Sequence, residues 1–264
     1  MVFRKLFRFD RLHADRKKEG APYSMNYYVD VHANLLPGMP GIGNRALTKE
    51  EALARMEACK ESNIKLSVAA PYFSPDTQTP EAFLACRDAA LAAQTEAAQP
   101  MRLVGGAVLP LSWCVEHPRE MKPFILGDSN YVLVDLPQEP VTEAFCETLS
   151  RLRIVSGLCP IAVDIDRYYD FWSPEDWFAL RQTGMLLQIS VNGMLQPENR
   201  KLTLYLLANQ YAHFVATGSR SVDEPLHFTE AMRMIQRSLP AHLYRRIKNN
   251  AGMLLSNAEP ASFL

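Results

Sequence analysis

The residues best suited to chemistry end a predicted strand near the start of the chain. In the run Asp30-Val31-His32-Ala33-Asn34, three polar side chains occupy alternate positions, so an extended backbone turns all three to one side. A carboxylate and an imidazole at this spacing are ligands that divalent metal ions accept in hydrolytic enzymes. At the next alternate position the chain has Asn34 and not a second imidazole. The run therefore indicates either a weak metal centre or a set of buried, hydrogen-bonded polar residues.

Further polar side chains follow the other predicted strands. Asp135 ends one of them, and Asp164, Asp166 and Arg167 follow the next. In a barrel of parallel strands the carboxyl ends meet on one face, which is where such folds carry their functional residues. We therefore expect one pocket at this face. Its other predicted lining residues are Asn34, Tyr72, Val108, Asn192, Gly218 and Arg220.

Seven apolar, β-rich runs are expected to position these residues. Most of them are nearly continuous in apolar character, as is typical of parallel strands covered on both faces. Helical patterns lie between them, and this repetition predicts an α/β fold with a closed or nearly closed barrel. The predicted strands are 27–32, 65–70, 102–109, 131–136, 160–165, 185–191 and 213–217.

Two of the helices have clear start signals. Thr48 followed by Glu51 forms a capping box, which predicts a helix over 48–62. Pro80 directly after Thr79 predicts the start of a second helix over 79–98. No linker interrupts the pattern after the first residues. We therefore predict a basic N-terminal extension at 1–25 and a single barrel domain at 26–264.

Composition and charge exclude several classes of protein. The 264 residues carry a formal net charge of −1, which argues against a nucleic-acid partner. No apolar run is long enough to span a membrane, and the N-terminus lacks the apolar core of a signal peptide. The five cysteines show no CxxC spacing, so neither a disulfide framework nor a zinc site is expected. These features predict a cytoplasmic protein.

The N-terminus stands out by its charge. Residues 1–20 contain seven Lys or Arg against three Asp or Glu, and residues 3–9 (FRKLFRF) alternate basic and aromatic types. Such a stretch over residues 1–18 suits peripheral contact with an anionic membrane or an acidic partner. The alternative is a solvated terminus without a partner.

The order of motifs resembles the manganese-dependent protein tyrosine phosphatases of the bacterial polymerase and histidinol phosphatase (PHP) family. The opening DVHANLLPG at 30–38 is similar to the family pattern D-x-H-S-H-I-L-P-G. The segments TKEEALARM at 48–56, NYVLVD at 130–135, DIDRY at 164–168 and QISVN at 188–192 match later family motifs in the same order. The resemblance spans residues 27 to 255.

This resemblance carries implications for fold, cofactor and partner. It implies a distorted seven-stranded (β/α) barrel of PHP type and a role beside capsule and exopolysaccharide synthesis. Enzymes of the family use manganese or other divalent metals. The implied partner is a bacterial tyrosine kinase or its phosphorylated, tyrosine-rich tail.

The chain departs from the family at most metal-ligand positions. A family histidine is replaced by Asn34, another by Tyr72, and the bridging glutamate by Val108. Gly218 and Arg220 stand where the family has its last two ligands, and neither coordinates metal. We therefore expect no metal cofactor. The weak residual candidates for a metal are Asp30, His32, Asp135 and Asp164.

The two arginines suggest another use of the pocket. The family residue equivalent to Arg167 helps to hold phosphate, and Asp166 lies beside it as a second vestigial catalytic residue. Arg220 replaces one positive charge by another, and guanidinium groups bind phosphate in bidentate fashion. The alternative is internal salt bridges of Arg220 with Asp164 and of Arg167 with Asp166.

Three functions remain open at this point. The first is a pseudophosphatase with a regulatory or phosphotyrosine-binding role. The second is an active or weakly active phosphatase with an unusual ligand set. The third is a non-catalytic scaffold that acts through the basic N-terminus.

Overall fold

The computed structural model describes residues 26–40, 45–218 and 225–264. The predicted extension at 1–25 and the predicted pocket residue Arg220 lie outside these ranges. Within them, none of the helices combines the length and apolar composition that crossing a bilayer requires. The five cysteines are free thiols.

The described residues form eight strands in two parallel sheets, which confirms the predicted α/β class. The first sheet has the order β1-β2-β3 and the second the order β4-β5-β6-β7-β8. Every pairing within them is parallel. The strands are β1 Tyr28–Ala33, β2 Ile64–Ala69, β3 Arg102–Gly105, β4 Val108–Pro110, β5 Tyr131–Asp135, β6 Cys159–Ala162, β7 Leu186–Ser190 and β8 Phe214–Ala216.

The prediction of seven strands is wrong at the third one. The run 102–109 divides into β3 and β4 at Gly106-Ala107. The N–H of Gly106 donates to the carbonyl of Ala69 at 3.0 Å, and the N–H of Val108 donates to that of Pro71 at 3.0 Å. The chain thus stays beside the segment that follows β2, while β4 pairs with β5.

Closure into a barrel is not confirmed, because no ladder joins β8 to β1 within the described strands. Among the described residues, one hydrogen bond between backbone groups connects their carboxyl ends. In it the N–H of Gly218 donates to the carbonyl of His32 at 2.9 Å. Side chains of both sheets nevertheless share one buried cluster, to which Val31, Val68, Val108 and Leu133 contribute. The two sheets therefore cover the same part of the core.

Helices follow most strands, as the alternating pattern predicts. Thr48 accepts a hydrogen bond from the N–H of Glu51, whose carboxylate accepts from the N–H of Thr48, so the predicted capping box is present. Thr79 caps the second helix by accepting from the N–H of Ala82. The helices are α1 Lys49–Glu61, α2 Pro80–Ala98, α3 Leu111–Glu116, α4 Glu143–Ser156, α5 Pro174–Gln182, α6 Val191–Leu195, α7 Arg200–Ala208, α8 Phe228–Ser238 and α9 Ala241–Leu255.

Gly106 lies at the break in the third strand, and its neighbours leave no room for a side chain. A Cβ atom there would lie 2.7 Å from Cγ1 of Val68 and 2.8 Å from Cδ2 of Leu126. We expect Gly106→Ala to lower the free energy of unfolding by about 1–3 kcal/mol, because the added methyl overpacks the core. Urea denaturation measures this change.

Gly105→Ala is the matched control. Its added Cβ would lie 3.2 Å from the end of the Leu91 side chain and 3.6 Å from Nε of Arg87, so its contacts are looser than those at Gly106. Equal stability losses in the two variants would contradict the assignment of the constraint to Gly106.

Candidate functional site

The carboxyl ends of β1, β6, β7 and β8 bring the predicted residues together. Asp30 lies on β1 and is fully buried. One carboxylate oxygen accepts from the hydroxyl of Thr217 at 2.6 Å, and the other accepts from the backbone N–H of Thr217 at 3.1 Å. The N–H of His32 donates to the same carboxylate at 3.2 Å. Asp30 therefore links the first strand to the segment after the last one.

Burial alters the titration of this carboxyl group. Desolvation raises the pKa of Asp30 from 3.8 to about 6, although the hydrogen bonds from Thr217 and His32 oppose the increase. Both oxygens therefore accept hydrogen bonds from donors of the protein itself.

His32 belongs to a second buried group, centred on Gln188 of β7. Nδ1 of His32 lies 3.2 Å from Oε1 of Gln188 and 3.7 Å from the carboxylate of Asp164. Oε1 of Gln188 also accepts from the N–H of Asp164 at 3.1 Å, and its amide nitrogen donates to the Asp164 carboxylate at 3.4 Å. Gln188 is absent from the predicted pocket, although a lone amide inside the apolar strand 185–191 is a signal for it.

Glycine is required at position 218, because the Asp164 side chain packs directly against it. A Cβ atom on Gly218 would lie 2.3 Å from Oδ1 of Asp164, and its φ of +47° favours glycine. Asp164 itself adopts a left-handed backbone with φ 48° and ψ 48°. Gly218, a predicted pocket residue, therefore contributes by leaving room for the Asp164 carboxylate.

Arg167 pairs with Asp135 and not with Asp166, which corrects the predicted internal salt bridge. Its guanidinium Nη2 contacts the Asp135 carboxylate and donates to the hydroxyl of Tyr168 at 3.0 Å. Nε lies 3.4 Å from the backbone carbonyl of Asp164. Burial is the largest single influence and lowers the pKa of Arg167, but the charges of Asp135, Tyr168 and Asp164, together with the hydrogen bond to Asp135, outweigh it and raise the pKa. The pair holds the ends of β5 and β6 together.

Asp166 instead fixes the turn after β7. Its carboxylate accepts from the N–H and the hydroxyl of Ser190, each at 2.8 Å. Ser190 in turn caps α6 by accepting from the N–H of Gly193 at 3.0 Å. A Cβ atom on Gly193 would lie 1.8 Å from Asp166 Oδ2, so this approach requires glycine. These contacts give Asp166 a structural role.

The remaining predicted pocket residues differ in environment. Tyr72 is half-buried, and burial followed by the negative charge of Asp135 raises the pKa of its hydroxyl. Val108 is fully buried in the shared cluster. The amide atoms of Asn34 are buried and make no hydrogen bond with the part of the chain that the structure describes. Asn192 is half-buried at the start of α6.

The donor set does not fit a centre of several metal ions. In the described ranges, no three side chains of His, Cys, Asp or Glu lie close enough to share an ion. Thr217 occupies the oxygens of Asp30, and the Arg167 cation contacts Asp135. Val108 supplies no ligand where a bridging carboxylate would be needed.

Comparisons with known proteins identify a family and a fold. The family model described as "Capsular polysaccharide synthesis, CpsB/CapC" matches residues 28–256. No curated protein sequence matches the chain. A solved structure from work on YwqE of Bacillus subtilis and CpsB of Streptococcus pneumoniae, unique metal-dependent tyrosine phosphatases, is similar with a TM-score of 0.74 and 20% identity. The match covers 88% of this chain and 95% of that chain, so the fold is shared.

Two other solved structures are more distant. The β-aspartyl dipeptidase of Fervidobacterium islandicum AW-1 has a TM-score of 0.47 and 10% identity, over 87% of this chain and 73% of that chain. The N6-mAMP deaminase of Arabidopsis has a TM-score of 0.45 and 12% identity, over 80% and 76%. At these scores neither contributes to the argument.

The buried carboxyl group of Asp30 generates a prediction about pH. Because its pKa is about 6 in the folded chain and 3.8 without burial, the folded state binds more protons between pH 4 and 6. The contribution of Asp30 to stability therefore falls as the pH rises through this window, by about 3 kcal/mol in total. In Asp30→Asn this loss should be absent. Urea denaturation at pH 4, 5, 6 and 7 measures the difference between the two proteins.

Asp128→Asn is the control, because it removes an exposed carboxylate. Its stability should follow the wild type at every pH. Parallel curves for the wild type and Asp30→Asn would contradict the raised pKa.

Proposed function

Because the chain belongs to the CpsB/CapC family of capsular polysaccharide synthesis, we propose that it is a pseudophosphatase within that family. It keeps the fold of a metal-dependent tyrosine phosphatase and lacks the means to activate water. Its role is regulatory, and its ligand is a phosphorylated tyrosine. The proposal includes a cytoplasmic location and a distorted PHP-type barrel formed by the two sheets.

One observation carries this proposal: the strand-end side chains bind one another. Asp30 is held by Thr217, Asp135 contacts Arg167, and Asp166 holds Ser190. A metal-bound water has a pKa near 7, whereas free water has a pKa of about 15.7. Without that activation, and with no metal to stabilise the developing charge, hydrolysis is slower by a factor of thousands or more.

The phosphotyrosine-binding role is supported by the geometry of Arg167. Its Nη2 and Nε are engaged, while Nη1 makes no hydrogen bond with the described residues. The half-buried aromatic residue of the predicted pocket is Tyr72, whose hydroxyl feels the charges of both Asp135 and Arg167. A guanidinium beside an aromatic ring suits the phosphate and the ring of phosphotyrosine. Arg220 would supply the second cation, and a tyrosine kinase or its phosphorylated tail would be the partner.

A weakly active phosphatase is the second candidate. His32 and Asp164 are both buried, and Nδ1 of His32 lies 3.7 Å from the Asp164 carboxylate. These two would be the first ligands of a single ion, and Asp30 and Asp135 would have to move towards them to join it, because no three such side chains of the described residues lie close enough to share an ion. Because His32 is the one imidazole among these four residues, the ion would be weakly bound.

We expect the full-length protein to retain less than one equivalent of manganese after incubation with the metal and desalting. Elemental analysis measures the content, and hydrolysis of p-nitrophenyl phosphate with and without manganese measures activity. Val108→Glu alone should restore neither, because a multinuclear site fails as a unit. Two or more tightly bound ions per chain, or robust manganese-stimulated turnover, would overturn the proposal.

A separate experiment tests the phosphotyrosine role. Arg167→Met and Arg220→Ala should each weaken binding of a phosphotyrosine peptide by roughly tenfold, since a charge-assisted hydrogen bond contributes about 1.5–3 kcal/mol. Calorimetric titration measures the affinity, with the unphosphorylated peptide as control. Arg167→Met should also lower stability, because Asp135 loses its cation. Lack of binding by the wild type would leave the scaffold function as the better explanation.

A further inference from the structure

We propose that a groove beside the candidate site binds the residues that flank a phosphorylated tyrosine and selects flanking segments that carry lysine or arginine. We call it the α3 groove and define it by five of its lining residues, Phe73, Asp76, Trp113, Glu116 and His117. The inference rests on the phosphotyrosine role proposed above. It adds to that role the kind of sequence that surrounds the tyrosine in the partner.

The α3 groove lies between the segment that follows β2 and the helix α3. The first wall contains Phe73 and Asp76, and the second contains Trp113, Glu116 and His117. Its volume is about 670 Å³. Clefts of about 300–1,000 Å³ accommodate ligands of drug size, so this groove has room for more than one side chain of a bound peptide.

An aromatic cluster holds the two walls in place. Phe73 is fully buried, and its ring packs edge-on against that of Trp113 with 5.1 Å between the ring centroids. The ring of Phe124 lies 5.3 Å from that of Phe73 and 5.4 Å from that of Trp113. The imidazole of His117 stacks on Trp113 at 5.1 Å. Because these contacts join one wall to the other, the groove is preformed, and a ligand need not reorganise it.

The charge of the α3 groove is negative. Asp76 and Glu116 are exposed, and the described residues that line the groove include no Lys or Arg. The Glu116 carboxylate lies 4.0 Å from Nε2 of His117, whose Nδ1 lies 3.1 Å from the carboxylate of Glu120. Even a protonated imidazole would balance only one of these carboxylates. The groove therefore attracts cationic side chains.

The N-terminus of α2 also borders the groove, through Thr79 and Pro80. A helix N-terminus is equivalent to about half a positive charge. Here the side chain of Thr79 accepts a hydrogen bond from the N–H of Ala82, and Glu81 places a carboxylate in the first turn. The two full negative charges of the groove therefore exceed the partial positive charge of this helix end.

The α3 groove adjoins the ion pair of Arg167 and Asp135. Pro110, the residue directly before α3, is the register partner of Asp135 in the pairing of β4 with β5. The other wall follows directly after Tyr72, whose hydroxyl feels the charges of that ion pair and of Asp76. An extended peptide advances by about 3.3 Å per residue. A phosphotyrosine bound at Arg167 would thus have its neighbours in sequence within reach of the groove.

Four fluorescent peptides test the inference with the full-length protein. They share one central tyrosine, which is phosphorylated in two of them, and they carry either lysine or glutamate at the flanking positions. Fluorescence anisotropy in moderate salt measures their affinities. We expect the phosphorylated lysine peptide to bind roughly tenfold more tightly than the phosphorylated glutamate peptide, since each exposed ion pair contributes only modestly.

Variants of the groove carboxylates connect this preference to the site. Asp76→Asn/Glu116→Gln should reduce the preference to less than about twofold, and Asp76→Lys/Glu116→Lys should reverse it. The matched control Asp128→Asn/Glu147→Gln removes two exposed carboxylates outside the groove and should keep the preference. Thermal melting of all variants establishes that they fold.

The peptides separate the two proposals. The gain from phosphorylation tests the phosphotyrosine role, and the preference for lysine tests the α3 groove. Equal affinities for lysine and glutamate peptides, or equal preferences in the groove and control variants, overturn the inference and leave the phosphotyrosine role standing. A lysine preference that depends on Asp76 and Glu116 but not on phosphorylation would support the groove and overturn the phosphotyrosine role. Lack of binding by all four peptides would overturn both.

Discussion

A buried carboxylate holds the two ends of the strand series together. Asp30 lies on β1 without access to solvent, and Thr217, directly beyond β8, donates to it from both its hydroxyl and its backbone. Burial penalises the charged form more than these donors stabilise it, which raises the pKa of the carboxyl group to about 6. The position of the segment after β8 depends on this contact, and the backbone bond from Gly218 to His32 follows from it.

The same principle governs the other polar groups at the strand ends. Gln188 forms hydrogen bonds with His32 and Asp164, while Arg167 forms an ion pair with Asp135. In a metalloenzyme, cations of the site would balance these carboxylates. In this chain, hydrogen bonds and a guanidinium do so, and the site is stable as it stands.

The sequence by itself determined those features that depend on neighbouring residues or on the periodic placement of apolar residues. The capping residues Thr48 and Thr79 fix the starts of α1 and α2 because their partners lie three residues away. Apolar strand-like runs that alternate with helical patterns specify the α/β class. At position 108, the apolar valine side chain by itself rules out a metal ligand.

The partners of Arg167, Asp166 and Gly106 were decided only by the tertiary structure. Asp135 precedes Arg167 by 32 residues, and Ser190 follows Asp166 by 24. Val68 and Leu126, distant in sequence, leave no room for a Cβ atom at Gly106, where the third strand divides. Contacts of this kind depend on how whole strands and helices pack, which no local pattern encodes.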